Sequence, residues 1–309
     1  MTPAPFDIQP LGATAYLAPD GFAGELAAEL GGASPALGEA LFIQPGPARP
    51  AAWAQNIWPD LVEIRFGSIG AAAKGLRSLA RNWAHSPLLH HRRASLIAEK
   101  LPHVSAKPLL FPAAAPTAPL GAWTLLEPDR LIASARAASP FANGEALFVE
   151  NREGPPSRAY LKLWEALALA RRWPGPGQHC LDLGAAPGGW TWVLATLGAE
   201  VTAVDKAALD PKILTMPGVT HRQESAFGID PANEPPYDWV VSDIVCYPER
   251  LVRLVLSWLE AQPQASYIVT VKFQGATDMA PLEALRAIHG STLLHLSHNK
   301  HELTWMRVS

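Results

Sequence analysis

The stretch His179-Cys180-Leu181-Asp182-Leu183-Gly184-Ala185-Ala186-Pro187-Gly188-Gly189-Trp190 reads as a buried strand running into a glycine-rich turn and then a helix. In a doubly wound sheet such a turn sits at the carboxyl edge of the first strand, where glycine lets the backbone approach a nucleotide-like ligand closely. The glycine spacing differs from the GxGxxG that cradles a dinucleotide pyrophosphate. Further on, Val201-Thr202-Ala203-Val204 ends in Asp205. A carboxylate at the tip of the second strand can accept both hydroxyls of a bound ribose, a property shared by several kinds of nucleotide site, so alone it does not discriminate among them.

Outward from this stretch the pattern alternates. Strands are expected at 179–183, 200–204, 219–222, 237–242, 266–272, 291–297 and 302–308, and helices at 188–197, near 208, at 248–260 and at 279–289. Alternation of this kind implies an α/β, Rossmann-like sheet with helices on both faces. Before it, Ser157 to Arg172 sets Leu161, Trp164, Leu167 and Leu169 mostly on one side of a helix, which Pro174-Gly175-Pro176-Gly177 stops. The loop Asn151-Arg152-Glu153-Gly154-Pro155-Pro156 marks the expected domain boundary: a smaller N-terminal α+β domain over 1–150 and the α/β domain over 151–309.

In the N-terminal half, Gly21 to Leu30 has the spacing of a short amphipathic helix, Ala40 to Ile43 is strand-like, and Leu61 to Phe66 alternates at period two before a helix from Ser68 to Trp83. Pro108 to Pro119, rich in proline and alanine, reads as a surface linker or extended edge. Strands are expected at Trp123–Leu126 and Ala146–Glu150 around a helix at Asp129–Ala138.

Composition fits an ordinary folded protein: 49% of the 309 residues are apolar and 17% charged. Cys180 and Cys246 have no metal-ligand spacing and suggest a reducing compartment, and with no signal peptide or membrane span legible, a cytoplasmic protein with no metal is expected. The net charge of −3 is unfavourable for phosphate binding. Net charge can hide a patch, however: Arg65, Lys74, Arg77, Arg81, Arg92, Arg93, Lys100 and Lys107 face a single acid, Glu99, over the same segment. Such a run is either a solvated surface or an anion-binding face.

The run Asp182 to Trp190 resembles the S-adenosylmethionine loop of the FtsJ-type ribose 2′-O-methyltransferases, and Ser157-Arg158-Ala159-Tyr160-Leu161-Lys162-Leu163 resembles the helix that precedes it in that family. The resemblance implies S-adenosylmethionine as methyl donor, with Asp182, Gly184, Ala185, Pro187, Gly188, Gly189, Trp190, Asp205 and Asp243 as binding residues. Where the family often has an adenine-contacting acid, this chain has Glu224-Ser225, and Glu224 is the expected substitute within one residue of register. The family's Lys-Asp-Lys-Glu tetrad falls on Lys162, Asp243, Lys272 and Glu302. Within the family the likeness is greatest to a member that modifies a cytidine ribose of bacterial 23S rRNA. Gly21-Phe22 through Leu30 resembles the start of that member's THUMP-containing half, here shortened, and Ser297-His298-Asn299-Lys300-His301-Glu302-Leu303-Thr304 resembles its last acidic motif. The implied partner is RNA, 23S rRNA first, bound partly through the N-terminal half.

The tetrad is also chemically reasonable by itself. A ribose hydroxyl is a poor nucleophile, so a base must take its proton as the oxygen attacks the methyl group in line. Lys272 is the candidate base. A lysine serves only if its ammonium form is disfavoured; desolvation and the neighbouring Lys162 would do this, while Asp243 and Glu302 orient the amines and oppose it. Trp190, Trp192 and Trp239 are read as core rather than as base-stacking platforms. A nicotinamide oxidoreductase is disfavoured by the glycine spacing and leaves two lysines unexplained. A tRNA methyltransferase, or an assembly factor that binds the cofactor without catalysis, remains an alternative.

Overall fold

The computed structural model describes residues 5–309. They form two compact units, one comprising residues up to Pro108 with Ala115–Leu147, the other Leu109–Ala114 with Phe148–Ser309.

The first unit contains β1 (Phe6–Pro10), β2 (Ala13–Leu17), α1 (Ala23–Glu29), β3 (Leu41–Pro45), β4 (Asn56–Trp58), β5 (Val62–Phe66), α2 (Ile69–Leu79), β6 (Trp83–His85), α3 (His91–Ala98), β7 (Gly121–Glu127) and β8 (Arg130–Ser134). They make a five-stranded sheet in the order β1-β5-β8-β7-β6 and a three-stranded sheet in the order β3-β2-β4. Ser68 caps α2 by accepting the Ala71 amide at 3.2 Å, and Ala72, Ala73 and Leu76 are fully buried against Ile64, Leu125 and Leu131.

The helix expected at Asp129–Ala138 is instead the second arm of a hairpin, with β8 antiparallel to both β5 and β7. The cause is two-sided burial. Leu131 and Ala133 face one apolar cluster, while Ile132 faces another on the opposite side of the sheet. A strand buried on both faces loses the period-two signal and reads as an uninterrupted apolar run. Ala146–Glu150 likewise forms no strand; it keeps one isolated bridge, Phe148 to Leu109. Through that bridge, a 2.9 Å bond from the Val149 amide to the Leu109 carbonyl and the stacking of Phe111 on Trp164, the segment expected to be a linker becomes part of the second unit. The main stretch of that unit begins at Phe148, three residues before the boundary read at Asn151.

The second unit comprises α4 (Tyr160–Ala170), β9 (His179–Leu183), α5 (Gly189–Thr196), β10 (Glu200–Val204), α6 (Pro211–Leu214), β11 (Val219–Arg222), β12 (Trp239–Ser242), α7 (Pro248–Ala261), β13 (Ser266–Lys272), α8 (Glu283–Arg286), β14 (Thr292–Leu294) and β15 (Glu302–Arg307). Its seven-stranded sheet runs β11-β10-β9-β12-β13-β15-β14, parallel from β11 to β13, with β15 antiparallel to both neighbours. This is the doubly wound α/β arrangement, and the order reverses between β9 and β12, where a crevice opens beyond the carboxyl ends of the strands. Trp190, Trp192 and Trp239 are buried.

The turn after β9 depends on two glycines. Gly184 has φ +79°, and a Cβ there would lie 2.6 Å from the Ile244 side chain. Gly188 has φ +113° and would meet Ile213 at 2.9 Å. Gly184→Ala is expected to destabilise the protein by about 1–3 kcal/mol, from left-handed strain and overpacking. Gly24→Ala, in helix α1 with nothing within 4 Å of its Cβ, should instead be neutral or slightly stabilising. Denaturant unfolding of the two variants beside the parent checks both signs.

Candidate functional site

A cavity of about 410 Å³ lies at the switch point, lined by the ends of five parallel strands. Asp182, Gly184, Ala185, Pro187, Gly189 and Trp190 come from β9 and its turn, Asp205 follows β10, Glu224 and Ser225 follow β11, Asp243 follows β12, and Lys272 ends β13. The sequence-predicted residues thus converge, with three qualifications. Gly188 is absent from the lining and acts by turning the chain into α5. Glu224 and Ser225 both line the cavity, and the Glu224 carboxylate is engaged by Arg222 Nε at 2.6 Å. Lys162 and Glu302 do not line it; both are 7% exposed and lie behind Asp243.

Those two close a charged cluster. Lys162 Nζ donates to Asp243 Oδ1 at 2.6 Å and to Glu302 Oε1 at 3.1 Å. Lys272 Nζ lies 3.1 Å from the same Asp243 Oδ1 and also donates to the Asp243 carbonyl. Local topology explains the convergence. Lys272 and Glu302 are opposite one another in the antiparallel β13–β15 register, and β13 extends beyond β12, so Lys272 can reach back to Asp243. Charges this far from water persist only when paired, and removing one partner leaves the others uncompensated.

Asp182 behaves differently. It is buried, its Oδ2 accepts from Thr191 Oγ1 at 2.6 Å, and its Oδ1 has no protein partner. Burial pushes its carboxyl up to about 7, Thr191 pulls it down, and the nearby carboxylates of Asp243 and Asp205 add to the upward shift. A buried acceptor without a donor, at the wall of a cavity, is suited to a ligand that brings one. Asp205 braces the turn: its Oδ2 accepts the Ala186 amide at 3.1 Å and its Oδ1 the Ala207 amide at 2.9 Å. A carboxylate has about four acceptor positions, so both oxygens can still accept from ligand hydroxyls.

Sequence reading missed Thr191, which partners Asp182, and Ser157, Phe227 and Arg250, which line the cavity. The Arg250 guanidinium sits 3.7 Å from the Phe227 ring centroid, a pair that nothing in their spacing announces. In the other unit, Lys74, Arg77, Arg81, Arg92 and Lys100 are exposed on or beside α2 and α3, whereas Arg65 is tied to Glu63 at 2.7 Å. Both cysteines are buried and free. Among the described residues, no group of acids, histidines and cysteines could hold a metal, and no helix is long and apolar enough to cross a membrane.

A mostly parallel sheet with its crevice at the switch point, a glycine turn after the first strand and an acid after the second define a Rossmann-like domain with a nucleotide-type crevice. Residues 155–277, all within the second unit, match the family model described as FtsJ-like methyltransferase. Lys162, Asp243 and Lys272 lie inside the matched residues and Glu302 outside them. Among curated relatives, ribosomal RNA large subunit methyltransferase M of Halorhodospira halophila is 42% identical over 134 residues, which cover 42% of this chain and 38% of that protein. The protein of the same name from Methylococcus capsulatus is 45% identical over 107 residues, 33% of this chain and 30% of that one. The matched stretches thus span well under half of these relatives' length. Among solved structures, magnesium protoporphyrin IX methyltransferase from Synechocystis with bound SAM superposes with a TM-score of 0.33 at 15% identity, covering 43% of this chain and 71% of that one.

The Asp182 carboxyl is normally near 3.8 and stands near 7 in the folded chain, so between those values the native state holds more protons than the unfolded state. Stability from this group is accordingly lost as pH rises from about 4 to about 7. Asp182→Asn should unfold at a higher temperature than the parent at pH 8, with the difference shrinking toward pH 4; thermal scans across that range measure it.

Proposed function

We propose that this protein is an S-adenosylmethionine-dependent RNA ribose 2′-O-methyltransferase whose substrate is 23S rRNA. The observation that carries this reading is the Lys162–Asp243–Lys272–Glu302 cluster, two of whose members face the switch-point cavity. The names and identities of the curated relatives support the choice of ribosomal RNA.

The cavity suits the donor. Asp182 Oδ1 offers a buried acceptor to an ammonium group, Asp205 offers acceptors to ribose hydroxyls, and Glu224 and Ser225 on the same wall of residues offer polar atoms to an adenine edge. When bound, S-adenosylmethionine supplies an electrophilic methyl group on a sulfonium. The chain's own residues supply alignment and a proton acceptor. As a neutral amine, Lys272 Nζ has two N–H bonds and one lone pair. The Asp243 carbonyl and Oδ1 would take the two donors, leaving the lone pair to accept the 2′-hydroxyl proton as that oxygen bonds to the methyl carbon and the carbon–sulfur electron pair departs with the neutral thioether. Lys162 places a second nitrogen on the same Asp243 oxygen, and Glu302 fixes Lys162 from behind. Holding hydroxyl and methyl in line carries much of the remaining rate. The exposed bases on α2 and α3 offer a phosphate-binding face to the same RNA.

Transfer of labelled methyl from S-adenosylmethionine to 23S rRNA from cells lacking the protein should place label in a 2′-O-methylnucleoside. Lys272→Ala should lower turnover at least about 100-fold while leaving cofactor affinity within a few-fold. Label appearing in tRNA instead would overturn the substrate, and unchanged turnover in Lys272→Ala would overturn the assignment of the base. Cofactor affinity should also rise as pH increases through about 7 and the Asp182 carboxyl ionises, a dependence that Asp182→Asn abolishes along with most of the binding.

A further inference from the structure

Helix α4 carries a second buried charge whose contacts lead to the same cluster. Glu165, one turn after Lys162, is 2% exposed. Its Oε1 accepts the Ser297 amide at 2.9 Å, and its Oε2 is 2.8 Å from Ser297 Oγ, 3.2 Å from the His298 amide and 3.0 Å from His298 Nδ1. All of these partners open the segment 297–301, which runs directly into Glu302 at the start of β15. The far end of that segment is tied as well: the Asn299 side chain and Thr304 Oγ1 lie within hydrogen-bond distance twice over, at 3.1 and 3.3 Å, and Glu302 Oε1 accepts the Lys300 amide at 3.3 Å.

We infer that Glu165 is a positioning residue for methyl transfer, acting through Glu302; the inference rests on the function proposed above. Merely packing a loop onto a helix needs no carboxylate, since an apolar contact holds it without the desolvation cost of a buried charge. A carboxylate gathering two consecutive amides and two side chains sets the height and rotation of the loop base, and these decide where the Glu302 carboxylate lies. Because Glu165 and Lys162 sit three residues apart on one helix, α4 holds both ends of the measurement: the loop that delivers Glu302 and the ammonium that Glu302 must meet. A shift of Glu302 would release Lys162 from behind and change how it shares Asp243 with Lys272.

The test is a kinetic double-mutant cycle on the full chain with Glu165→Gln and Glu302→Gln. In the glutamine variant at 165, an amide group faces donors where a second carboxylate oxygen stood. Glu165→Gln should lower kcat about 10- to 100-fold with KM for S-adenosylmethionine and for RNA nearly unchanged. The double variant should be no slower than Glu302→Gln alone. Losses that multiply, or a loss carried by KM for the cofactor, would overturn the inference. If Glu165→Gln does not fold, Ser297→Ala, which removes one of the four bonds, replaces it, with a smaller kcat loss and the same non-additivity expected. If the parent transfers no methyl to RNA, the function proposed above fails and catalytic positioning falls with it. The physical clamp is then read by hydrogen exchange: Glu165→Gln should deprotect the amides of 297–302 while sparing β13, and unchanged protection there would remove the clamp too.

Discussion

One carboxylate oxygen, Oδ1 of Asp243, lies within 3.1 Å of two lysine nitrogens, and the architecture of the second unit serves to keep that arrangement in place. Asp243 follows the central strand β12, whose last residue, Ser242, donates its hydroxyl to the Leu183 carbonyl at 2.8 Å. The acid is thereby locked to the end of β9, where the glycine turn begins. Lys272 comes from the neighbouring strand and Lys162 from α4, so three separate elements must agree in position for the cluster to form. Such a cluster adds little to stability, because desolvating four charges offsets their attraction. Its value is geometric: a fully paired network in a low-dielectric setting has few alternative arrangements, which is what the in-line transfer proposed above would require.

Much of this was legible in the chain, the cofactor turn from local signals and the four-residue cluster from the motifs that resemble the FtsJ-type family. The turn from Asp182 to Trp190 is contiguous, and Asp205, Asp243 and Lys272 each sit where an apolar strand stops. Depth was not legible. Lys162, Asp243, Lys272 and Glu302 look equivalent as sequence, yet two face the cavity and two stand behind it, a difference fixed by the β13–β15 register and by the placement of α4. Glu165 gave no signal either, because its partners are 132 and 133 residues away and a single acid in an apolar helix is ambiguous. In the first unit, β8 was misread for the complementary reason. Its neighbours cover both faces, so the side-chain alternation that betrays a strand was erased by tertiary burial.

The two acids of the cavity, Asp182 and Asp243, differ in what surrounds them, and the difference gives the site a direction. Asp243 is supplied with cations by the protein itself. Asp182 is served from within the protein by Thr191, through its hydroxyl and its backbone amide, and is otherwise buried, with Oδ1 left unpartnered and its carboxyl raised to about 7. Near neutral pH, then, the Asp182 end of the cavity gains most from a ligand that brings a positive group, because that ligand both supplies the missing donor and favours the ionised carboxyl. The Asp243 end, already paired with two lysines, gains little from a further cation. Under the function proposed above, a ligand with an ammonium group at one extremity would be oriented by this asymmetry before any contact with its other parts is counted.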